Sequence, residues 1–443
     1  MPRVRRAAVV AVGVGATAIG VAERRRRSRY LPGRAPVRSD AVTPEASRPV
    51  AAELLAMRSI RRRDEALTFA PTTVASVEIL LHGRRYFPRI LEDIAAAQDH
   101  VHLLFYAFRP GTIADAFADA LAERAAAGLE VKVAVDSIGS MVDSTSRGLF
   151  ERLRAAGAEI VSNDGLLVLR RGRIGDRKLE VHGEDAFHFD HRKMMVIDGR
   201  VAYVGGTGIE DHFADGRFAD AMCRVTGPLV SQLQLAFLTS WVKDGGPRPP
   251  DLDGLFLDPV PGAAEPVEGL QATLMMNVPG TGHHPIRDEI FRGLDEARER
   301  VDVVNPYLAN ASVIRGLIAA AERGAQVRAV IPEKPQPPYA IAAFRGWLPE
   351  LFAAGVIVVR HPGMAHAKIY RFDDRLIIGS CNLDDLSLYR NDELSVRFEG
   401  PAVPALADGV FDELVAASEP ATISPGWATR AWERVLRRSS RFL

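Results

Sequence analysis

The stretches HRKMMVIDGRVAYVGG (residues 191–206) and HAKIYRFDDRLIIGSCNLD (residues 366–384) decide how this chain folds. Each opens on His-x-Lys, carries an aspartate five residues after the lysine, and continues into a second apolar, β-rich run. In an extended strand alternate residues share a face, so His191 joins Lys193 and His366 joins Lys368. The dipeptide Asp198-Gly199 between two such runs marks a tight hairpin turn. With 11 His and six Lys in 443 residues, the pattern His-x-Lys-x4-Asp is expected by chance only about 0.01 times. Two occurrences therefore signal a repeated unit with a purpose. Arginine outnumbers lysine 50 to six, yet two of the six lysines stand in this pattern. A compact ammonium is wanted there rather than a forked guanidinium.

The repeat extends outward from the two hairpins. Residues 90–107 (ILEDIAAAQDHVHLLFYA) match 290–307 (IFRGLDEARERVDVVNPY), each a helix followed by a buried strand. Residues 120–136 match 317–332, with Gly128 and Gly324 as equivalent helix stops, and residues 149–161 match 347–359. Helices alternating with strands in two copies predict an α/β fold of two similar lobes. The expected organisation is a first lobe over 76–245, a linker over 246–266 within a stretch (244–266) of six prolines and four glycines, and a second lobe over 267–415. Residues 31–75 read as a lead-in. The first copy is longer over 162–190, and that arginine-bearing insertion reads as a surface excursion, with a lid or substrate loop as the alternative.

Composition narrows the function. Hydrophobic residues at 47% and charged residues at 25% are globular proportions. Two cysteines, Cys223 and Cys381, are too few for a disulfide framework and read as small buried residues. The net charge of zero hides basic ends: residues 1–30 hold eight arginines against Glu23, and residues 424–443 hold five against Glu433. The middle is correspondingly acidic, which disfavours a polyanion such as nucleic acid and suits attachment of the ends to an anionic membrane. The uncharged run 7–22, followed by four arginines at 24–27, reads as a membrane anchor with the lobes on the cytoplasmic side. Sixteen helical residues reach about 24 Å against a hydrocarbon core of about 30 Å, so an interfacial anchor fits as well as a span. The tail 416–443 reads as a basic amphipathic helix that either lies on a membrane or packs its tryptophans onto the body.

Small polar residues crowd behind the second motif: Gly379, Ser380, Asn382, Asp384, Ser387, Asn391 and Glu393. Small Gly379 and Ser380 allow close backbone approach to a bound oxyanion, Asn382 can donate to it, and a carboxylate can fix a histidine tautomer from behind. The first copy offers Gly205, Gly206 and Thr207 at the matching place and Asp220 as the partner carboxylate. Asp198 and Asp373 fit an orienting or structural role in their turns. A lysine on the histidine's face would repel a dication, so no metal is expected, and nothing calls for a cofactor.

These residues resemble the phospholipase D superfamily, and the text around them, LLFYAF, VAVDSIGS and the two motif stretches, is similar to bacterial cardiolipin synthases. The resemblance spans about residues 76–415. It implies two lobes, each a β-sheet flanked by helices, that meet at one active site. It implies a phosphatidyltransferase that makes cardiolipin from two phosphatidylglycerols. His191 would form a phosphohistidine and His366 would serve as acid and then base, the two roles being exchangeable on sequence grounds. Lys193, Lys368, Ser380, Asn382 and Thr207 would hold the phosphate, with Asp220 orienting His191 and Glu393 orienting His366. Phospholipid hydrolysis with the same histidines is the alternative, a nuclease a weaker one. With both motifs in one chain, a monomer suffices. Three departures stand out. Gly208 occupies the place of an amide-bearing Asn, Leu386 replaces an arginine, and the second hairpin is one residue shorter.

Overall fold

The computed structural model describes residues 41–56, 67–142, 144–163, 189–252, 254–256, 265–278, 282–334, 338–424 and 426–439. The apolar run 7–22, the arginines at 24–27 and most of the insertion lie outside these residues.

The first lobe is a seven-stranded sheet built from β1 (Ser76–Leu81), β2 (His100–Phe105), β3 (Glu130–Asp136), β4 (Glu159–Asn163), β5 (Lys193–Ile197), β6 (Val201–Gly205) and, after the two-residue β7 (Phe218–Ala219), β8 (Ala221–Thr226). Its order is β1-β8-β6-β5-β2-β3-β4. The second lobe uses β9 (Gln271–Asn277), β10 (Arg300–Val304), β11 (Gln326–Pro332), β12 (Ile357–His361), the short β13 (Met364–Ala365), β14 (Ile369–Phe372), β15 (Arg375–Gly379), β16 (Glu393–Glu399) and β17 (Glu419–Pro420). Read from its β9 edge, the second sheet runs β9-β16-β15-β14-β10-β11-β12-β17. The first seven positions repeat the first lobe strand for strand, so the expected two-lobed α/β architecture is the one observed.

Each motif hairpin, β5-β6 and β14-β15, sits at the centre of its sheet, flanked by antiparallel neighbours and then by the parallel βαβ half. Central strands covered on both faces need unbroken apolar runs, and every residue of β5 and β14 is buried. The helix Gly83–Ala96 turns Tyr86, Phe87, Ile90 and Ile94 inward, the spacing of one helical face. The helix Leu229–Lys243 is apolar almost all round, and it is buried accordingly in a core shared by both sheets. Two further cores lie on the outer sheet faces, one per lobe. Gly128 and Gly324 stop their helices with φ of 91° and 102°, as a left-handed cap requires.

The described parts of the lead-in, residues 41–56 and 67–75, pack on the body. The helix Pro44–Ala56 lies against Leu229–Lys243, and Thr72 pairs with Ala272 of the second lobe. Cys223 and Cys381 are free and buried.

The helix Trp427–Ser439 docks on the second lobe through Arg437, whose guanidinium lies 3.4 Å from the centre of the Trp347 ring, donates to the Gly346 carbonyl and pairs with Glu350. Its tryptophans do not pack on the body: Trp427 is 77% exposed and Trp432 60%.

Candidate active site between the lobes

Two strand pairings stitch the lobes together, and they set the chemistry. Next to the first motif, the His191 amide donates to the Asp392 carbonyl and the Asp392 amide to that of Phe189. Next to the second, β7 pairs with β13 and the His366 amide donates to the Ala219 carbonyl at 2.7 Å. Each histidine is thereby bonded to the residue immediately before a carboxylate of the opposite lobe.

The carboxylates follow. His191 Nδ1 lies 3.0 Å from Glu393 Oε1, and His366 Nδ1 lies 2.6 Å from Asp220 Oδ2. This corrects the expected assignment, in which each carboxylate served the other histidine. The partners cross between lobes because backbone pairing brings β16 behind the first motif and the β7-β8 turn behind the second. A carboxylate only accepts, so each Nδ1 carries the hydrogen and each Nε2 is left with its lone pair.

Glu393 and Asp220 are fully buried, whereas both histidine side chains keep 13% exposure. They share a cavity of about 320 Å³ with Lys193, Tyr106, Arg109, Glu210, Asn382 and Asp384. Lys193 donates to the His191 carbonyl, its ammonium 4.9 Å from the centre of the Tyr106 ring. Lys368 Nζ donates to the His366 carbonyl at 2.5 Å and lies over the His366 ring, 2.8 Å from Nδ1 and 3.1 Å from Nε2.

The site is electrostatically poised for an anion. Burial, with the repulsion of Lys368, brings Lys193 down to about 7 despite Glu393. Burial brings Lys368 to about 8 against the pull of Asp220 and Glu393. His366 falls to about 3 through burial and the Lys368 ammonium, and burial lowers His191 as well. Burial works against the Asp220 and Glu393 carboxylates, but Lys368 and His366 outweigh it for Asp220, and His191, Lys193 and Ser380 for Glu393, so both stay below their ordinary range. A phosphodiester anion between the two lysines reverses these depressions, because a nearby opposite charge favours the protonated form.

Several expected site residues sit elsewhere. Asp198 and Asp373, each at φ 52°, form the hairpin turns. The Asp198 carboxylate accepts from the amides of Gln98, Asp99 and His100, and Asp373 from those of Arg298, Glu299 and Arg300. Neither lines the cavity, so both pin a helix-to-strand turn to the motif hairpin. Ser380 does not face the cavity either; it donates to Glu393 and braces the carboxylate behind His191. The Thr207 hydroxyl is buried against Tyr86 at 3.0 Å. Asn382 does line the cavity, and its Oδ1 is buried without a hydrogen-bond partner. Gly206 is required for space: a Cβ there would lie 2.6 Å from Asp220 Oδ1 and 2.9 Å from the Lys368 side chain.

Sequence patterns favour a core place for Tyr106 and Tyr307 and a local hydrogen bond for His212, and they say nothing of Arg109 and Glu210, yet all five line the cavity. The tyrosines follow equivalent strands of the repeat, a signal that was available; Arg109 and Glu210 stand outside regular elements and His212 in a single helical turn, Asp211–Ala214, so no periodicity encodes their aim. Among the described residues no three His, Cys, Asp or Glu side chains form a metal-holding group.

Two sheets of one topology, each giving a histidine to a shared cavity with its motif lysine beside it, define a two-lobed enzyme of the phospholipase D fold. The chain matches the family described as cardiolipin synthase, PLD-like domain, over residues 90–241 and 290–415. Over 361 residues it is 30% identical to a cardiolipin synthase of Geobacillus thermodenitrificans (strain NG80-2), covering 78% of this chain and 68% of the relative. It is 26% identical to cardiolipin synthase A of Escherichia coli O1:K1 / APEC over 362 residues, covering 79% and 71%. Its fold is similar to that of phosphatidylserine synthase from Haemophilus influenzae Rd KW20, with a TM-score of 0.62 at 13% identity over 90% of this chain and 100% of that one. The chain therefore belongs to the cardiolipin synthase family of phospholipase D-like proteins, and it is a phosphatidyltransferase of that type.

Proposed function

We propose that the protein joins two phosphatidylglycerols into cardiolipin and releases glycerol through a phosphohistidine. The carrying observation is the pair of histidines, each held by a buried carboxylate of the opposite lobe, facing one cavity with Lys193, while Lys368 lies against His366. Lys193 and Lys368, with the Asn382 amide, hold the nonbridging oxygens. His191 Nε2 attacks phosphorus, and the bond to the glycerol oxygen breaks as that oxygen takes a proton from His366, which the bound anion keeps protonated. A second phosphatidylglycerol then gives its hydroxyl proton to His366, and its oxygen displaces the His191 nitrogen. A single chain holds both halves of the site.

The lipid comes from an anionic membrane met by the two basic ends, with the lobes on the cytoplasmic side. Among the described residues no helix is long and apolar enough to cross a membrane. The large hydrophobic side chains exposed there include Ile357, Ile423, Trp427 and Trp432. The Ala421 amide, two residues before Ile423, donates to the Val358 carbonyl beside Ile357, and the arginine-rich helix follows. Aromatic side chains among arginines suit the interface of an anionic bilayer.

Purified protein incubated with labelled phosphatidylglycerol vesicles tests the reading: cardiolipin and glycerol in equal amounts are expected, with label trapped on His191 after rapid quench. Phosphatidic acid as the main product would make it a hydrolase, and label on a serine or cysteine would overturn the phosphohistidine.

A further inference from the structure

The two lobes repeat so closely that their differences inside the cavity are informative. Gly208-Ile209-Glu210-Asp211 corresponds to Asn382-Leu383-Asp384-Asp385. The backbone agrees: the Arg109 amide donates to the Ile209 carbonyl, as the Ala309 amide donates to that of Leu383. In the second lobe, Asn382 and Asp384 both line the cavity, but the Asp384 carboxylate is engaged as the cap of its short helix, accepting from the Ser387 amide at 2.8 Å. The first lobe does otherwise. Glu210, at the equivalent cap, makes no capping bond. Its carboxylate lies over Gly208 instead, with Oε2 2.8 Å from where a Cβ would stand. Arg109, in the place of Ala309, pairs with it at 3.1 Å while its Nε donates to the Gly139 carbonyl at 2.6 Å. Glycine at 208 thus gives the amide's space to a carboxylate, and an arginine holds that carboxylate in place.

A carboxylate is the wrong group for gripping a phosphodiester anion and a good one for accepting hydrogen bonds from hydroxyls. Its surroundings point to the hydroxyls of the alcohol. Glu210, Arg109 and His212 share the cavity with both catalytic histidines. The His212 ring packs 4.1 Å from that of Phe218, and Phe218 and Phe213 pack on His366 at 5.7 and 5.2 Å, the side from which a proton is exchanged with the alcohol.

We propose that Glu210, anchored by Arg109, is a polyol-binding subsite that reads the vicinal hydroxyls of the glycerol headgroup. This rests on the phosphatidyl-transfer reading and deepens it. The leaving glycerol and the entering headgroup occupy the subsite in turn, since the second half-reaction reverses the first with a substituted alcohol. The unequal ends of the cavity then divide the work, the second lobe's amide holding phosphate and the first lobe's carboxylate holding the alcohol.

Competition between two acceptors tests it. Phosphatidylglycerol in mixed micelles is offered labelled glycerol and ethanol at equal concentration, and labelled phosphatidylglycerol and phosphatidylethanol are measured from the same reaction. The ratio is independent of total rate, so general damage to the fold does not move it. Wild type should favour glycerol, and Glu210→Ala should lower the ratio on the order of tenfold or more, as loss of a charged acceptor for a hydroxyl predicts. Glu210→Gln, which keeps one accepting oxygen, should fall severalfold, and Arg109→Ala should shift in the same direction. An unchanged ratio in Glu210→Ala and Glu210→Gln overturns the subsite while leaving transfer intact. Phosphatidic acid alone from wild type overturns transfer itself, and the subsite with it.

Discussion

Replacing Asp220 by asparagine removes the negative charge behind His366 with little change of shape. The Asp220 oxygen lies 2.6 Å from His366 Nδ1 and the carboxylate is fully buried, so no water takes its place. With charge centres about 4 Å apart and an effective dielectric near 20, imidazolium and carboxylate attract by ~4 kcal/mol. That corresponds to a loss on the order of 10³-fold in any step that needs protonated His366. The same loss is expected for Glu393→Gln, through His191, in any step that needs an oriented nucleophile. A phosphatidyl ester of nitrophenol separates the two, because nitrophenolate departs without a proton. In a stopped-flow experiment, Asp220→Asn should keep its burst of nitrophenolate within about tenfold of wild type, whereas Glu393→Gln should lose it on the order of 10³-fold. With phosphatidylglycerol both variants should fail alike. Equal loss of the burst in both would refute the division of labour derived from the crossed pairing, and a burst kept only by Glu393→Gln would make His366 the nucleophile.

Asp198→Ala should cost about 2–4 kcal/mol of stability, since three backbone amides lose their acceptor and alanine is strained at positive φ, with turnover per folded molecule retained; thermal melts and an active-site titration check this. Ser380→Ala should lower kcat by about fivefold to tenfold with little change in KM, because the hydroxyl steadies Glu393 and does not face the cavity. Anion binding should take up protons. With Lys193 at about 7 and Lys368 at about 8, both are partly neutral at pH 8, and a bound anion favours their charged forms. Titration calorimetry of inorganic phosphate in buffers of different ionisation enthalpy should show uptake at pH 8 that shrinks at pH 6, and proton release would contradict the poised site.

The sequence alone determined whatever depends on neighbours along the chain. Alternating periodicity placed His191 with Lys193 and His366 with Lys368, the Asp198-Gly199 dipeptide marked its hairpin, and Gly128 and Gly324 marked equivalent helix ends. Repetition of these local signals was enough to read two α/β lobes, and the resemblance of the motif text to known proteins implied the family. Tertiary structure decided whatever depends on the approach of one lobe to the other. Asp220 lies nearer His191 in sequence and Glu393 nearer His366, yet the pairing of β7 with β13 and of Asp190 with Asp392 crosses them. Ser380 and Asn382 differ by two residues and were indistinguishable as phosphate donors. The register of β15 and β16 sets Ser380 beside Glu393, and the chain beyond β15 brings Asn382 to the cavity. Glu210 carried no sequence signal, because its aim depends on the empty volume above Gly208 and on Arg109, about a hundred residues away along the chain.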